Sequence, residues 1–73
     1  MSSRYVEYWI HYEDGDLDCL EGREWRYVRN ELIPRCEDSD TLALTVLAIE
    51  RVVRTYYASD DFDVDYETLW RRP

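Results

Sequence analysis

Two short stretches, Asp14–Asp18 and Asp61–Asp65, carry aspartate at every second position, a spacing at which carboxylates can surround a calcium ion. A calcium loop of that kind also needs glycine at its sixth position and glutamate at its twelfth. In the first stretch those positions hold Cys19 and Trp25, and in the second they hold tyrosine and arginine. Neither stretch therefore predicts a metal site.

The residue types that support catalysis are few. His11 is the single histidine, and no serine or cysteine lies near it in a nucleophile motif. Cys19 and Cys36 together with His11 give three zinc ligands, whereas a structural site needs four. A chain of 73 residues also has little room to enclose a substrate cleft. We therefore predict a protein that is not an enzyme and that uses no cofactor.

Charge narrows the classes of partner. Acidic residues number 17 and basic residues 9, all arginine, which gives a net charge of −8. Such a charge disfavours direct binding to nucleic acid. The apolar run Leu42–Ile49 is too short to span a membrane, and Met1–Arg4 lacks the apolar stretch of a signal peptide. The sequence predicts one cytoplasmic domain over residues 1–73 with reduced thiols, and a Cys19–Cys36 disulfide stays open as an alternative.

The first elements are predicted from alternation. Arg4–Tyr12 alternates between an apolar face and a mixed face, which is typical of a strand. Asp14-Gly15 then indicates a hairpin turn. The return strand is predicted over Leu17–Glu21, with Leu17 and Cys19 facing inward as small core residues.

Two helices are predicted next. Arg23–Ile33 has apolar residues at helical spacing, although a strand is the alternative, and Pro34 should end that helix. Asp40 is a suitable N-cap for a second, buried helix that reaches Tyr57, because apolar residues recur there every three or four positions.

The chain after Tyr57 alternates again. Phe62, Val64 and Tyr66 form an apolar face, and acidic residues form the other, so a third strand is predicted, with Leu69 and Trp70 closing the core or an edge. The predicted order is β-β-α-α-β. The expected fold is α+β, a three-stranded antiparallel sheet with two helices packed on one face.

The acidic face of this last strand is the strongest candidate for a binding site. Side chains at alternate strand positions lie roughly 6.6–6.8 Å apart, and each strand of B-DNA carries a phosphate per about 3.4 Å of axis. The same acids could instead only prevent edge-to-edge pairing of the strand. The predicted partner-binding residues are Asp60, Asp61, Asp63, Asp65 and Glu67, followed by the hairpin-tip acids Glu13, Asp14, Asp16 and Asp18.

In size and net charge, the chain resembles small acidic inhibitors encoded by phages, including DNA-mimicking anti-CRISPR proteins. That resemblance implies a partner with a basic, nucleic-acid-binding surface, such as a host defence nuclease or complex. It also implies a place of action in the host cytoplasm. The expected function is inhibition by occupation of that surface, with tyrosine and tryptophan side chains anchoring the contact.

Two alternatives come from the same residues. In the first, the chain is a structural homodimer that buries its aromatic residues, and its acidity serves solubility or adaptation to high salt. In the second, a basic helix contacts an acidic partner through Arg23, Arg26, Arg29 and Arg35.

Overall fold

The computed structural model describes residues 2–38 and 45–73. Within these residues the structure contains four strands and one helix. In chain order they are β1 (Ser3–Tyr12), β2 (Leu17–Glu21), the helix α1 (residues 22–37), β3 (Val46–Tyr56) and β4 (Phe62–Arg71). The predicted three-stranded sheet with two helices is therefore wrong, since one helix of 16 residues packs on a four-stranded sheet.

The sheet is antiparallel throughout, with strand order β2-β1-β3-β4. The β1–β2 hairpin is confirmed, with β2 at the predicted bounds and β1 beginning at Ser3 rather than at Arg4. Gly15 in its turn has φ 91, a conformation that glycine adopts without strain. β1 and β3 pair along their whole length, so that Val6 lies opposite Val53 and Ile10 lies opposite Ile49. β2 and β4 are the outer strands.

Helix α1 packs on one side of the sheet, called here the helix side. Val28, Leu32 and Cys36 repeat every four residues and are buried against Tyr8 and Ile49. Trp25 stacks on Tyr8 with a centroid separation of 5.4 Å. This hydrophobic contact holds the helix against β1 and β3, and the helical prediction for Arg23–Ile33 is confirmed.

The prediction that Pro34 ends the helix is wrong, because the helix continues to Glu37. The turn just before the proline, Val28–Leu32, is a π-helical turn, in which Ile33 donates its backbone N–H to the Val28 carbonyl. A wider turn relieves the contact between a proline ring and the carbonyl four residues earlier. The π-helical turn is also compatible with the four-residue spacing of the buried residues Val28, Leu32 and Cys36.

The second predicted helix is wrong, because Val46–Tyr56 is β3, an inner strand of the sheet. Tyr12 pairs with Val46 and His11 with Ala48, so Leu47 is an extra residue in a β-bulge. The bulge places Val46 and Ile49 on the same side of the sheet three positions apart, a spacing that imitates a helix. The proposed N-cap Asp40 lies outside the described residues.

The other side of the sheet, called here the open side, carries no helix within the described residues. The register places Leu17 and Cys19 on this side, opposite His11 and Trp9, and both are exposed. Their predicted inward orientation is wrong, and Leu20 packs against the core instead. Cys36 is buried on the helix side, so the two thiols are free.

Candidate partner-binding surfaces

The terminal strand β4 presents different chemistry on its two faces. Register with β3 places Asp63, Asp65 and Glu67 on the helix side, opposite Thr55, Val53 and Arg51; the residues between them, on the open side, are Phe62, Val64 and Tyr66. The three acids are exposed. The predicted last strand is confirmed over 62–67 and extends to Arg71, with Leu69 and Trp70 packed against the core as expected.

Helix α1 leaves the acidic half of β4 uncovered. From β4, only Leu69 and Trp70 pack against the core that lies beneath the helix. Asp63, Asp65 and Glu67 lie on a strand that pairs with β3 and has no second strand partner in the part of the chain that the structure describes. We call these three residues the β4 acidic row.

The carboxylates of the row are only partly neutralised. Asp63 accepts a hydrogen bond of 2.9 Å from the Tyr57 hydroxyl, and this bond is the main reason why the pKa of Tyr57 is raised. Glu67 is 3.7 Å from an Arg51 guanidinium nitrogen. Asp65 has neither a hydrogen bond nor an ion pair from its side chain among residues 2–38 and 45–73. The row is thus available to external cations.

Asp60 and Asp61 belong to the β3–β4 turn rather than to the strand. Asp60 has φ 67, a left-handed conformation that aspartate tolerates better than most residues. The Asp61 carbonyl accepts a 2.9 Å hydrogen bond from the Tyr57 N–H, and its carboxylate accepts one of 3.2 Å from the Ser59 hydroxyl. Both residues extend the acidic surface beyond the end of β4.

The hairpin-tip acids lie at the opposite end of the sheet. Their turn follows Tyr12, which pairs with Val46 at the start of β3, whereas the β3–β4 turn follows Tyr56, which pairs with Ser3. The molecule is 46 Å long, so the two predicted acidic groups do not form one surface.

Several hairpin-tip acids shape their own turn. Asp14 accepts a hydrogen bond of 2.9 Å from the Asp16 N–H, and Glu13 pairs with Arg72 at 3.0 Å. Asp18 accepts one of 2.7 Å from the Tyr12 hydroxyl. Burial, followed by this hydrogen bond, raises the pKa of Tyr12 to about 12. These contacts give Glu13, Asp14 and Asp18 local structural roles, whereas Asp65 of the β4 acidic row has no such contact among the described residues.

The open side carries an aromatic cluster that sequence reasoning did not identify. Trp9 and Tyr66 meet edge to face at 5.8 Å, and the Arg54 guanidinium lies 6.0 Å from the Trp9 ring centroid. Tyr56 contacts both Tyr5, at 5.7 Å, and Phe62, at 5.8 Å. The signal was present in the sequence, since odd positions of β1 and even positions of β4 are rich in aromatic residues.

His11, the single histidine of the chain, pairs with Glu50 on the open side. Both side chains are half-buried. The pair lies beside Thr68 in a shallow depression of about 490 Å³. Nowhere in the described ranges do three metal-ligating side chains of the His, Cys, Asp or Glu type come together.

The basic residues Arg23, Arg26, Arg29 and Arg35 are exposed on α1. Arg23 is paired with Glu21 at 2.9 Å.

No helix in the described part of the chain is long and apolar enough to cross a membrane. Comparisons with protein-family models, curated proteins and solved structures gave no significant match.

Proposed function

We propose that this chain is a non-catalytic binding module that occupies the basic, nucleic-acid-binding surface of a partner protein. The observation that carries the proposal is the β4 acidic row, in which Asp63, Asp65 and Glu67 are exposed on one side of a strand. Strand geometry spaces them by roughly 6.6–6.8 Å, about twice the axial rise per phosphate of B-DNA.

The rigidity of the row supports this function. Pairing with β3 holds the backbone of all three acids in place, so that little conformational entropy is lost when a partner binds. Asp61 and Asp60 continue the negative surface around the turn. A net charge of −8 also accelerates encounter with a basic partner.

The proposed partner is a nucleic-acid-binding protein, and inhibition follows because the same basic surface cannot hold the acidic row and nucleic acid together. Exposed charges are screened beyond roughly 8–10 Å at physiological salt. Binding should therefore weaken as salt rises. The proteins that meet this description include host defence nucleases.

The test begins with affinity capture from nuclease-treated bacterial lysate at about 100 mM and about 500 mM salt, a range over which screening changes strongly. A captured protein is then purified and titrated with labelled DNA in the presence of the chain. We expect the chain to displace the DNA competitively. A partner that holds the chain and DNA at once overturns the proposal.

Matched triple variants locate the surface. Asp61→Asn/Asp63→Asn/Asp65→Asn removes three charges at β4, and Asp14→Asn/Asp16→Asn/Asp18→Asn removes three at the hairpin tip. Asparagine keeps the acceptors for the tyrosine hydroxyls in both cases. The β4 variant should lose at least about tenfold in affinity, and the hairpin variant less than about threefold. Equal losses would indicate non-specific charge attraction.

A second candidate function, homodimerisation through the open side, is favoured by two observations. Tyr5, Tyr56, Phe62 and Tyr66 are 57%, 42%, 61% and 58% exposed. The accessible surface of 5498 Å² also exceeds the roughly 4,800 Å² that is typical of a monomer of this mass. In this function the acids serve solubility or adaptation to high salt. Sedimentation equilibrium tests homodimerisation. A chain that stays monomeric at about 100 μM does not form a stable dimer, and that result would exclude this function.

A further inference from the structure

Among residues 2–38 and 45–73, the outer edge of β4 is the longest strand edge without a strand partner. Strand order makes β4 terminal, and no other strand in the described ranges pairs with its outer edge. Pairing with β3 is regular from Phe62 to Thr68 and shifts at Leu69. The regular stretch is about 20 Å long, and its alternate N–H and C=O groups point outward without a strand partner.

A second copy of β4 fits this edge poorly. In an antiparallel pair, residues directly opposite each other share a face, so acids such as Asp63 and Asp65 of one copy would lie opposite acids of the other. Like charges at such positions are destabilising. The same edge would accept a strand of opposite charge.

We propose that β4 binds an extended segment of a partner protein in which basic residues alternate with apolar ones, so that the segment becomes the fifth strand of the sheet. Its basic side chains would lie beside Asp63, Asp65 and Glu67 on the helix side. Its apolar side chains would lie beside Phe62, Val64 and Tyr66 on the open side. This inference rests on the proposed function, because it uses the same acidic row, and it defines the partner's chemistry.

Two features of the fold favour the addition of such a strand. Helix α1 does not cover β4 between Phe62 and Glu67, since the core beneath it includes only Leu69 and Trp70 from this strand. On the open side, Phe62 is 61% and Tyr66 58% exposed, so a neighbouring strand has apolar surface to cover. Main-chain hydrogen bonds would supply affinity, and the two-faced side-chain pattern would supply specificity.

Three synthetic seven-residue peptides test the proposal. The first alternates arginine with valine. The second has the same composition, with the arginines grouped at one end. The third repeats the first with alternate backbone amides N-methylated, which blocks strand pairing and leaves charge unchanged. Binding is measured by calorimetry at about 100 mM salt, and amide hydrogen exchange of β4 is followed by NMR.

We expect the alternating peptide to bind at least about tenfold more tightly than either control, and to slow exchange at alternate residues of β4. Equal binding of all three peptides would show attraction by charge alone. That result would overturn strand addition and leave the acidic-row function standing. Absence of binding by every peptide also overturns strand addition, and the DNA-displacement experiment then judges the proposed function separately.

Two variants test whether the peptide binds at the β4 edge or at the β2 edge. Phe62→Ser/Tyr66→Ser keeps the charge and should weaken the alternating peptide at least about threefold, while leaving the grouped peptide unchanged. Leu17→Ser, on the exposed outer strand β2, is the matched control and should change neither. Loss of binding with Leu17→Ser would place the peptide on β2 and overturn the assignment to β4.

Discussion

Trp9 of β1 and Tyr66 of β4 contact each other across the intervening strand β3, with ring centroids 5.8 Å apart. Between these strands lies Val52, which faces the same side of the sheet and is 0% exposed. The open side is therefore not bare. Two aromatic side chains, together with Arg54, form a thin second layer that buries the centre of β3 on the side away from the helix.

This layer should contribute measurably to stability. Trp9→Ala should lower the free energy of unfolding by about 3 kcal/mol, and Tyr66→Ala, whose ring is more exposed, by about 1 kcal/mol. The two losses should be non-additive by about 0.5–1.5 kcal/mol because the rings contact each other. Urea unfolding followed by circular dichroism measures all three values. Full additivity would show that the contact is absent in solution.

Substitutions at Ile49 and Leu47 test the assignment of β3 as an inner strand with a bulge. Ile49 is 0% exposed beneath helix α1, whereas Leu47 at the bulge is 39% exposed. Ile49→Ala should therefore lower the free energy of unfolding by about 3 kcal/mol, and Leu47→Ala by less than about 1 kcal/mol. Chemical denaturation gives both values. Similar losses at both positions would contradict the bulge, because they would place both side chains in the core.

The two cysteines should react at very different rates. Cys19 is exposed on β2, whereas Cys36 is buried on the face of α1 that packs on the sheet, and this burial raises the pKa of its thiol and disfavours the reactive thiolate. A chromogenic disulfide reagent should label one thiol rapidly and the second only in denaturant. Cys19→Ser should abolish the rapid phase. Two slow thiols in the reduced protein would contradict this placement of Cys19.

The raised pKa of Tyr12 predicts that the folded chain loses stability at alkaline pH. In the folded chain its pKa is raised to about 12, first by burial and then by the hydrogen bond to Asp18. An unfolded tyrosine titrates near 10. Between these values the unfolded state loses its proton first, so the stability that this group contributes below about pH 10 is lost as pH rises towards about 12.

Tyr12→Phe is the matched control for that titration. The difference in free energy of unfolding between the native chain and this variant should shrink as pH rises from about 10 to about 12. Urea unfolding at several pH values measures it. A difference that does not change with pH would mean that the hydroxyl titrates alike in both states.

The β4 acidic row should cost stability at low salt. Asp65 lies between two acids of the same face, so Asp65→Asn should raise the free energy of unfolding by about 0.5 kcal/mol in dilute buffer. The gain should vanish near 1 M salt, where screening reaches about 3 Å. Asp65→Glu keeps the charge and should show no such gain. An equal effect of both variants would point to strand propensity rather than repulsion.

Local patterns predicted the first hairpin, most of the helix and the start of the last strand. The alternation in β1 and the Asp14-Gly15 turn identified the first hairpin, because strand periodicity and turn chemistry act over a few residues. The same reasoning recovered the start of β4 and the helical nature of Arg23–Ile33. It also identified the β4 acids as a row, since residues two apart on a strand share a face wherever that strand lies.

Longer-range contacts decided the rest. The bulge at Leu47 gave β3 a helix-like spacing, and only pairing with both β1 and β4 makes Val46–Tyr56 a strand. The π-helical turn before Pro34 allowed α1 to continue. The sequence alone thus determined the charge, the hairpin and the two-faced pattern of β4. Tertiary structure decided which faces are buried and separated the two acidic groups, because strand order and register depend on contacts between residues distant in the chain.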